Sequence, residues 1–95
     1  MHRDVKPLNI LLTSDKHVKL IDFGRSVKLS SPNEKLNGSE GTYEFMAPEM
    51  LSEKFEGGYN GKQCDIWSLG VSFFGILFGY LPFRHELLIK LFDII

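Results

Sequence analysis

The residues Asp4, Lys6, Asn9 and Asp22 are of types that bind metal ions and phosphate, and all four lie within the first 22 positions of the sequence. Asp4, Lys6 and Asn9 come at or before a short apolar run, and Asp22 lies near the end of the next apolar run. A turn-forming segment, residues 13–16, separates the two runs, which predicts a small β-hairpin with Asp4 and Asp22 at its mouth. Carboxylate and amide oxygens suit a hard cation such as Mg²⁺, which prefers one or two protein oxygens together with phosphate. The pattern therefore predicts a cation site of this kind.

Ordered motifs extend this pattern over nearly the whole chain. They are His-Arg-Asp-Val-Lys-Pro-Leu-Asn at 2–9, Asp-Phe-Gly at 22–24, Ala-Pro-Glu at 47–49 and Asp-Ile-Trp-Ser-Leu-Gly at 65–70. Together they resemble the eukaryotic-type protein kinase superfamily, whose signature includes the first three. A single Asp-Phe-Gly would be weak evidence, but these motifs occur in the family's order. The resemblance implies the central part of the C-terminal lobe of a Ser/Thr kinase catalytic domain.

The resemblance also implies a role for each polar residue. Asp4 is similar to the catalytic base that accepts or orients the proton of the substrate hydroxyl, and Asn9 and Asp22 are similar to ligands of Mg²⁺ bound with ATP. Lys6 resembles the lysine that approaches the transferred phosphate in Ser/Thr kinases. Thr42 resembles the threonine that bonds both the aspartate and the lysine. The ordinary alternatives are a solvated loop aspartate, a turn asparagine and a loop threonine.

The segment from residue 24 to residue 41 corresponds to the activation loop of that family. By resemblance, Arg3 pairs with a phosphate on this loop, since a guanidinium grips phosphate through two hydrogen bonds. Ser30, Ser31 and Ser39 are candidate acceptors. We favour Ser39 because it lies just before Thr42, and the alternative is a loop that is merely polar.

Other matches are structural. His2 and Phe23 resemble a pair that stacks inside the lobe, and Asp65 resembles the residue that anchors the catalytic-loop backbone. We also expect Asp65 to cap the N-terminus of the long helix. Glu49 pairs in the family with a distant downstream arginine, and no arginine follows Arg84 here.

The hydropathy pattern predicts a fold that is mainly α with one small hairpin, formed by residues 9–12 and 17–23. Residues 24–41 form an exposed loop, 47–54 a short helix and 55–61 a glycine-rich loop. A helix that is apolar nearly all round runs from 65 to about 80, so it expects burial on every side, and Leu81-Pro82 ends it. A last helix runs from 86 to the end. Its apolar stripe is Leu87, Leu88, Leu91, Phe92 and Ile95. The domain comprises residues 1–24 (catalytic loop and hairpin), 25–49 (activation segment) and 50–95 (helices).

Composition limits the classes of partner. The net charge is −1 over 95 residues, which gives no field to attract nucleic acid. Cys64 is the only cysteine, so no intrachain disulfide can form, and this favours an intracellular, cytoplasmic setting over an extracellular one. The uncharged stretch 66–83 is interrupted by glycines and a proline, so a core helix explains it better than a membrane span.

A working kinase also needs a glycine-rich loop over the phosphates and a strand lysine paired with a helix glutamate. These parts would precede His2, so we expect Met1 to be an internal methionine of a longer protein. We expect the 95-residue chain alone to bind ATP–Mg²⁺ weakly, to lack transfer activity and to expose an apolar patch on its long helix. The alternative is a catalytically dead short product that acts as a partner-binding or decoy module. The protein substrate and the kinase subfamily stay open.

Overall fold

The computed structural model describes residues 1–51 and 57–95, and these ranges contain two small antiparallel sheets and three α-helices. The strands are β1 (Ile10–Leu12), β2 (Val18–Leu20), β3 (Lys35–Leu36) and β4 (Tyr59–Asn60), and the helices are α1 (Pro48–Leu51), α2 (Gly61–Phe78) and α3 (Leu88–Ile94). Single 3-10 turns lie at Pro7–Asn9 and Tyr43–Phe45.

The predicted hairpin is present but shorter than expected. β1 pairs with β2 in the register Ile10↔Leu20 to Leu12↔Val18. Its first predicted residue, Asn9, belongs to the 3-10 turn that precedes β1. At the other end the strand stops before Asp22, whose φ of 61° lies in the left-handed region that extended strands do not use.

A second sheet corrects the prediction that residues 24–41 form a loop without regular structure. Lys35 pairs with Asn60 and Leu36 with Tyr59, which joins this segment to the residues just before α2. The pairing is only two residues long on each side, which is too short to give an alternating pattern in the sequence. Leu36 also packs against the core, so burial contributes to holding the segment there.

The long helix begins four residues earlier than predicted, and its N-cap is Asn60 rather than Asp65. The Asn60 side-chain oxygen accepts hydrogen bonds from the backbone N–H groups of Lys62 (3.1 Å) and Gln63 (3.4 Å). At the other end, Gly79 takes the left-handed conformation (φ 77°) that commonly closes a helix. The helix therefore ends at Phe78, before the predicted break at Leu81-Pro82.

One face of α2 is buried, which corrects the expectation of burial on every side. Cys64, Ser68, Val71 and Ser72 lie on the buried face. The remaining faces expose large apolar side chains, namely Ile66, Leu69, Phe73, Ile76, Leu77 and Phe78. The apolar patch predicted on this helix is thus present. Within the described ranges, no helix is long and apolar enough to cross a membrane.

The core lies between the N-terminus of α2 and the segment that leads into α1. Its buried residues are Met46, Ala47, Met50, Tyr59 and Cys64. The predicted short helix, residues 47–54, is confirmed over Pro48–Leu51, which form α1. Residues 52–56, with the end of that predicted helix and the start of the glycine-rich loop, lie outside the described residues.

The last helix, α3, spans Leu88–Ile94 and is shorter than the predicted helix, which runs from residue 86 to the end. Leu91 is its buried residue, and Phe92 contacts the ring of Tyr43 with a centroid distance of 5.4 Å. Leu87 and Leu88, which the prediction placed on the same stripe, are exposed.

Candidate active site

The backbone of residues 2 and 3 is anchored by the side chain of Asp65 on α2. One carboxylate oxygen of Asp65 accepts the N–H of His2 (2.7 Å) and the other accepts the N–H of Arg3 (2.9 Å). Arg3 has a left-handed backbone (φ 69°), a conformation that costs a non-glycine residue about 1 kcal/mol or more. The two hydrogen bonds fix this turn and so determine where the next residue, Asp4, points.

Asp4 lies at the centre of a group of contacts, and it is buried (7% exposed). The Asn9 side-chain nitrogen donates to the backbone oxygen of Asp4 at 2.8 Å and to its carboxylate at 3.3 Å. The ammonium of Lys6 forms an ion pair with the same carboxylate, at 3.2 Å from Asp4 Oδ2. Asn9 is itself buried at the 3-10 turn, which starts at Pro7 and places the amide under the loop.

Thr42 completes this group from a distant part of the chain. Its hydroxyl donates to Asp4 Oδ1 at 2.7 Å and accepts from Lys6 Nζ at 2.8 Å. A hydroxyl has one proton to donate, so these two contacts fix its direction. The structure therefore brings together Asp4, Lys6, Asn9 and Thr42.

The environment of Asp4 keeps its carboxylate ionised. Burial raises the pKa of Asp4, but the hydrogen bond from Thr42, the hydrogen bond and charge of Lys6 and the charge of Arg25 outweigh it. The net pKa of Asp4 is lower than its ordinary value of 3.8. At neutral pH this site therefore presents a fixed negative charge that can accept a hydrogen bond from a bound hydroxyl.

Asp22 makes its hydrogen bond outside the group formed by Asp4, Lys6, Asn9 and Thr42. Its side chain is exposed, and its Oδ1 accepts the N–H of Gly24 at 3.3 Å. Among the described residues, Asp22 makes no hydrogen bond or ion pair with Asp4, Lys6 or Asn9. The predicted convergence of Asp4 and Asp22 at the mouth of the hairpin therefore does not take the form of a direct contact.

The available oxygen atoms fit a hard cation with few protein ligands. The Asn9 nitrogen is used by Asp4, and no described residue donates to the Asn9 side-chain oxygen, so that oxygen is free to face a ligand. Asp22 adds an exposed carboxylate. The described residues contain no cluster of three His, Cys, Asp or Glu side chains that could hold a metal unaided. This donor set is suited to Mg²⁺ that arrives with phosphate oxygens, as Mg²⁺ usually binds.

The sequence profile of the protein kinase domain matches residues 1–93. The chain belongs to the protein kinase family.

Relatives support the same assignment. The kinase chain is 42% identical over 91 residues to a calcium/calmodulin-dependent protein kinase kinase of Caenorhabditis elegans, an alignment that covers 96% of the chain and 17% of the relative. It is 45% identical over 93 residues to the serine/threonine-protein kinase MRCK gamma of Mus musculus, covering 95% of the chain and 6% of the relative. It is 42% identical over 93 residues to CBL-interacting protein kinase 11 of Oryza sativa, covering 96% of the chain and 18% of the relative. The chain thus spans 6–18% of the length of these relatives.

His2 and Phe23 of this kinase chain form an aromatic pair. Their ring centroids are 4.9 Å apart and the rings meet edge to face, with 71° between the planes. His2 Nδ1 accepts the N–H of Asp4 at 3.1 Å, so we assign the ring proton to Nε2, which donates to the carbonyl of Ile21 at 2.9 Å. The buried imidazole therefore connects the catalytic loop to the end of β2.

The predicted regulatory residues Arg3 and Ser39 form hydrogen bonds with different partners. The Arg3 side chain donates through Nε to the backbone oxygen of Arg25. The Ser39 hydroxyl donates to the carbonyl of Met50 on α1 at 2.6 Å. Among the described residues no hydrogen bond joins Arg3 to Ser39, and a phosphate on Ser39 would displace the contact with Met50.

Glu49 has a local partner on α2. The thiol of Cys64 donates to Glu49 Oε1 at 3.5 Å. Burial, together with the charge and the hydrogen bond of Glu49, raises the pKa of Cys64 from 9.0 to about 12. The thiol therefore stays protonated and takes a structural role at this position.

Sequence reasoning missed several residues that hold the site. Arg25 donates through Nη1 to the carbonyl of Gly41 at 2.8 Å. On α2, the Ser68 hydroxyl donates to the carbonyl of Phe45 (2.7 Å), and the Ser72 hydroxyl lies 3.5 Å from the carbonyl of Val5. The serines did carry a usable signal, because polar residues at positions four apart interrupt an otherwise apolar helix. The only sequence signal for Arg25 was its position directly after Asp-Phe-Gly.

Proposed function

We propose that this chain is the catalytic-loop and activation-segment part of a Ser/Thr protein kinase, which transfers the terminal phosphoryl group of ATP to a protein hydroxyl. The observation that carries the proposal is the Thr42 hydroxyl, which bridges Asp4 and Lys6. This arrangement places a negative and a positive charge side by side at fixed distances. The pair suits a reaction in which a hydroxyl attacks a phosphate.

Each side chain has a part in that reaction. Asp4 accepts a hydrogen bond from the substrate hydroxyl and so directs the hydroxyl oxygen toward the phosphorus atom. The ammonium of Lys6 lies on the same side and attracts the phosphate oxygens. Asn9 and Asp22 are the residues that would hold Mg²⁺, which when bound neutralises charge on the phosphates.

The lowered pKa of Asp4 defines its contribution more closely. A carboxylate with a pKa below 3.8 is a weak base, so it does not remove a proton from a free hydroxyl at neutral pH. It orients the hydroxyl before transfer and accepts its proton as the phosphorus–oxygen bond forms. Positioning and electrostatic stabilisation therefore supply most of the rate enhancement, as expected for phosphoryl transfer.

The isolated 95-residue chain is proposed to be inactive unless a glycine-rich loop and a lysine–glutamate pair are supplied from outside it. The proposed location of the protein is the cytoplasm. The alternative function is a partner-binding module without catalysis. It is supported by the exposed apolar face of α2 and by a groove of about 400 Å³ between that face and the hairpin. Ile10, Leu20, Ile66 and Phe73 are among the residues that line the groove.

The two functions are distinguished by isolating the natural polypeptide that carries this sequence. An antibody against residues 30–41 would capture it, its mass would be compared with 10.9 kDa, and labelling of a protein substrate by γ-³²P-ATP would be measured. A heavier polypeptide that labels Ser or Thr supports the kinase proposal. A polypeptide near 10.9 kDa without transfer activity supports the alternative and contradicts the proposal.

A further inference from the structure

Arg25 and Arg3 close a ring of contacts that includes Asp4 and Thr42 of the candidate active site. The Arg3 side chain donates to the backbone oxygen of Arg25, and the Arg25 side chain donates to the backbone oxygen of Gly41 at 2.8 Å. Thr42 follows Gly41 directly, and its hydroxyl donates to Asp4, the residue after Arg3. The ring therefore returns to the catalytic loop where it started.

The bond from Arg25 acts on Thr42 through the peptide plane. The carbonyl of Gly41 and the backbone nitrogen of Thr42 belong to one planar peptide unit. A hydrogen bond that fixes the Gly41 oxygen therefore fixes the orientation of this peptide plane, including the backbone nitrogen of Thr42. No described residue other than Arg25 donates a hydrogen bond to that oxygen.

Gly41 itself has no side chain that could hold the Gly41–Thr42 peptide in place. Gly41 has a φ of 131°, which residues with side chains rarely adopt, and a Cβ atom there would clash with the backbone oxygen of Arg3. The chain thus passes directly against the catalytic loop without a side chain that could hold it. Arg25, reaching across from the end of the hairpin, supplies the missing directional contact.

We infer that Arg25 is a positioning residue that holds the Gly41–Thr42 peptide so that the Thr42 hydroxyl reaches Asp4 and Lys6. The catalytic consequence rests on the proposed kinase function, whereas the positioning itself is a property of this chain. An arginine suits the task because its planar head offers several donors on a long side chain. The charge of Arg25 also contributes to lowering the pKa of the neighbouring Asp4.

Nuclear magnetic resonance on the full 95-residue chain tests the inference without any need for activity. The variants are Arg25→Gln, which removes the charge and most donors, and Arg25→Lys, which keeps the charge and one donor group. Arg84→Gln is the matched control, because Arg84 is also exposed but lies outside the ring. Arg25 is exposed as well, so its replacement removes no core packing.

The readouts are the carbonyl ¹³C shift of Gly41, the order parameter of the Thr42 methyl group and hydrogen exchange at the Phe45 amide, which donates to the Thr42 carbonyl at 3.0 Å. In Arg25→Gln the Gly41 shift changes, the Thr42 order parameter falls and exchange at Phe45 rises roughly two- to tenfold, as expected for one lost hydrogen bond. Arg25→Lys gives intermediate values, and Arg84→Gln matches the wild type. Wild-type values at all three positions in Arg25→Gln would overturn the inference.

A measurement on the unmodified chain covers the case in which Arg25→Gln does not fold. A guanidinium bonded to Gly41 rotates slowly, so the terminal nitrogens of Arg25 give separate ¹⁵N signals, unlike those of Arg84. A single averaged signal for Arg25 would overturn the inference. Because these readouts do not involve phosphoryl transfer, the two claims fail separately. A natural polypeptide that carries this sequence and transfers no phosphate would refute the proposed function, and an ordered Arg25 contact would still leave the positioning role intact.

Discussion

The Thr42 hydroxyl donates a 2.7 Å hydrogen bond to Asp4, which lies 38 residues earlier in the chain. This contact joins the catalytic loop to the end of the activation segment. It also means that the placement of Asp4 depends on how the segment before Ala-Pro-Glu is folded. The order of the activation segment and the geometry of the candidate site are therefore physically connected.

Replacing Thr42 by valine should separate the hydroxyl from the shape of the side chain. The two are nearly equal in volume, but valine leaves Asp4 and Lys6 without their bridge. We expect phosphoryl transfer to fall about 10- to 100-fold, because a hydrogen bond to a charged group is worth about 1.5–3 kcal/mol. The measurement is kcat in a chimera in which this chain replaces the matching segment of the nematode calcium/calmodulin-dependent protein kinase kinase.

Thr42→Ser is the matched control for that change, since it keeps the hydroxyl. Its kcat should stay within a few-fold of the unmodified chimera. Equal activity of the valine and serine variants would show that the bridge has no part in transfer.

Removal of the Asp65 carboxylate should destabilise the chain. In Asp65→Ala, the N–H groups of His2 and Arg3 lose their acceptors, and each unsatisfied group costs about 1–3 kcal/mol. We expect the urea midpoint to fall clearly, in contrast to Asp93→Ala on α3. Midpoints that are equal for the two variants would contradict the anchoring role of Asp65.

Cys64 should be unreactive in the folded chain and should make stability depend on alkaline pH. Its pKa is raised from 9.0 to about 12, so the folded state favours the protonated thiol. The stabilisation is complete below pH 9 and is lost as the pH rises toward 12, because only the unfolded state ionises readily in this window. Alkylation by iodoacetamide at pH 8 should therefore be slow in buffer and fast in concentrated urea.

Cys64→Ala provides the comparison for the pH dependence. Its stability should change less between pH 9 and pH 12 than that of the wild type, after both are measured by urea unfolding. Rapid alkylation of the native chain would show that the thiol is neither buried nor held by Glu49.

Ser39 can be tested for both of its possible roles. Ser39→Ala removes the hydrogen bond to Met50, which is expected to cost about 1 kcal/mol of stability. If Ser39 also carries a regulatory phosphate that Arg3 binds, the chimera with Ser39→Ala should lose activation after treatment with an activating kinase. Unchanged activation, with only the small loss of stability, would remove the phosphate hypothesis.

Local patterns predicted the parts of the fold that local contacts determine. Two apolar runs separated by a turn predicted the hairpin, and its paired residues, Ile10 with Leu20 to Leu12 with Val18, are close in the sequence. Asn60 could also have been recognised, because asparagine before a helical segment is a favoured N-cap. The apolar run begins directly after Asp65, which places the predicted cap there, whereas the first turn of α2 contains the polar residues Lys62 and Gln63.

Long-range backbone contacts could not be predicted in the same way. The pairing of β3 with β4 joins two-residue segments, and the bond from Arg25 ends on a carbonyl of Gly41. Every residue has a carbonyl group, so such a contact leaves no sequence pattern. The contact between Glu49 and Cys64 likewise depends on the packing of α1 against α2.

The most direct test of the central claim is the loss of transfer caused by Asp4→Asn in the same chimera. Asparagine keeps the shape of the side chain but cannot accept a proton, so we expect kcat to fall by about 100-fold or more while Asp93→Asn leaves it unchanged. That result would establish that this chain supplies the residue that orients the substrate hydroxyl. Unaltered kcat in Asp4→Asn, in a chimera that transfers phosphate, would contradict the account.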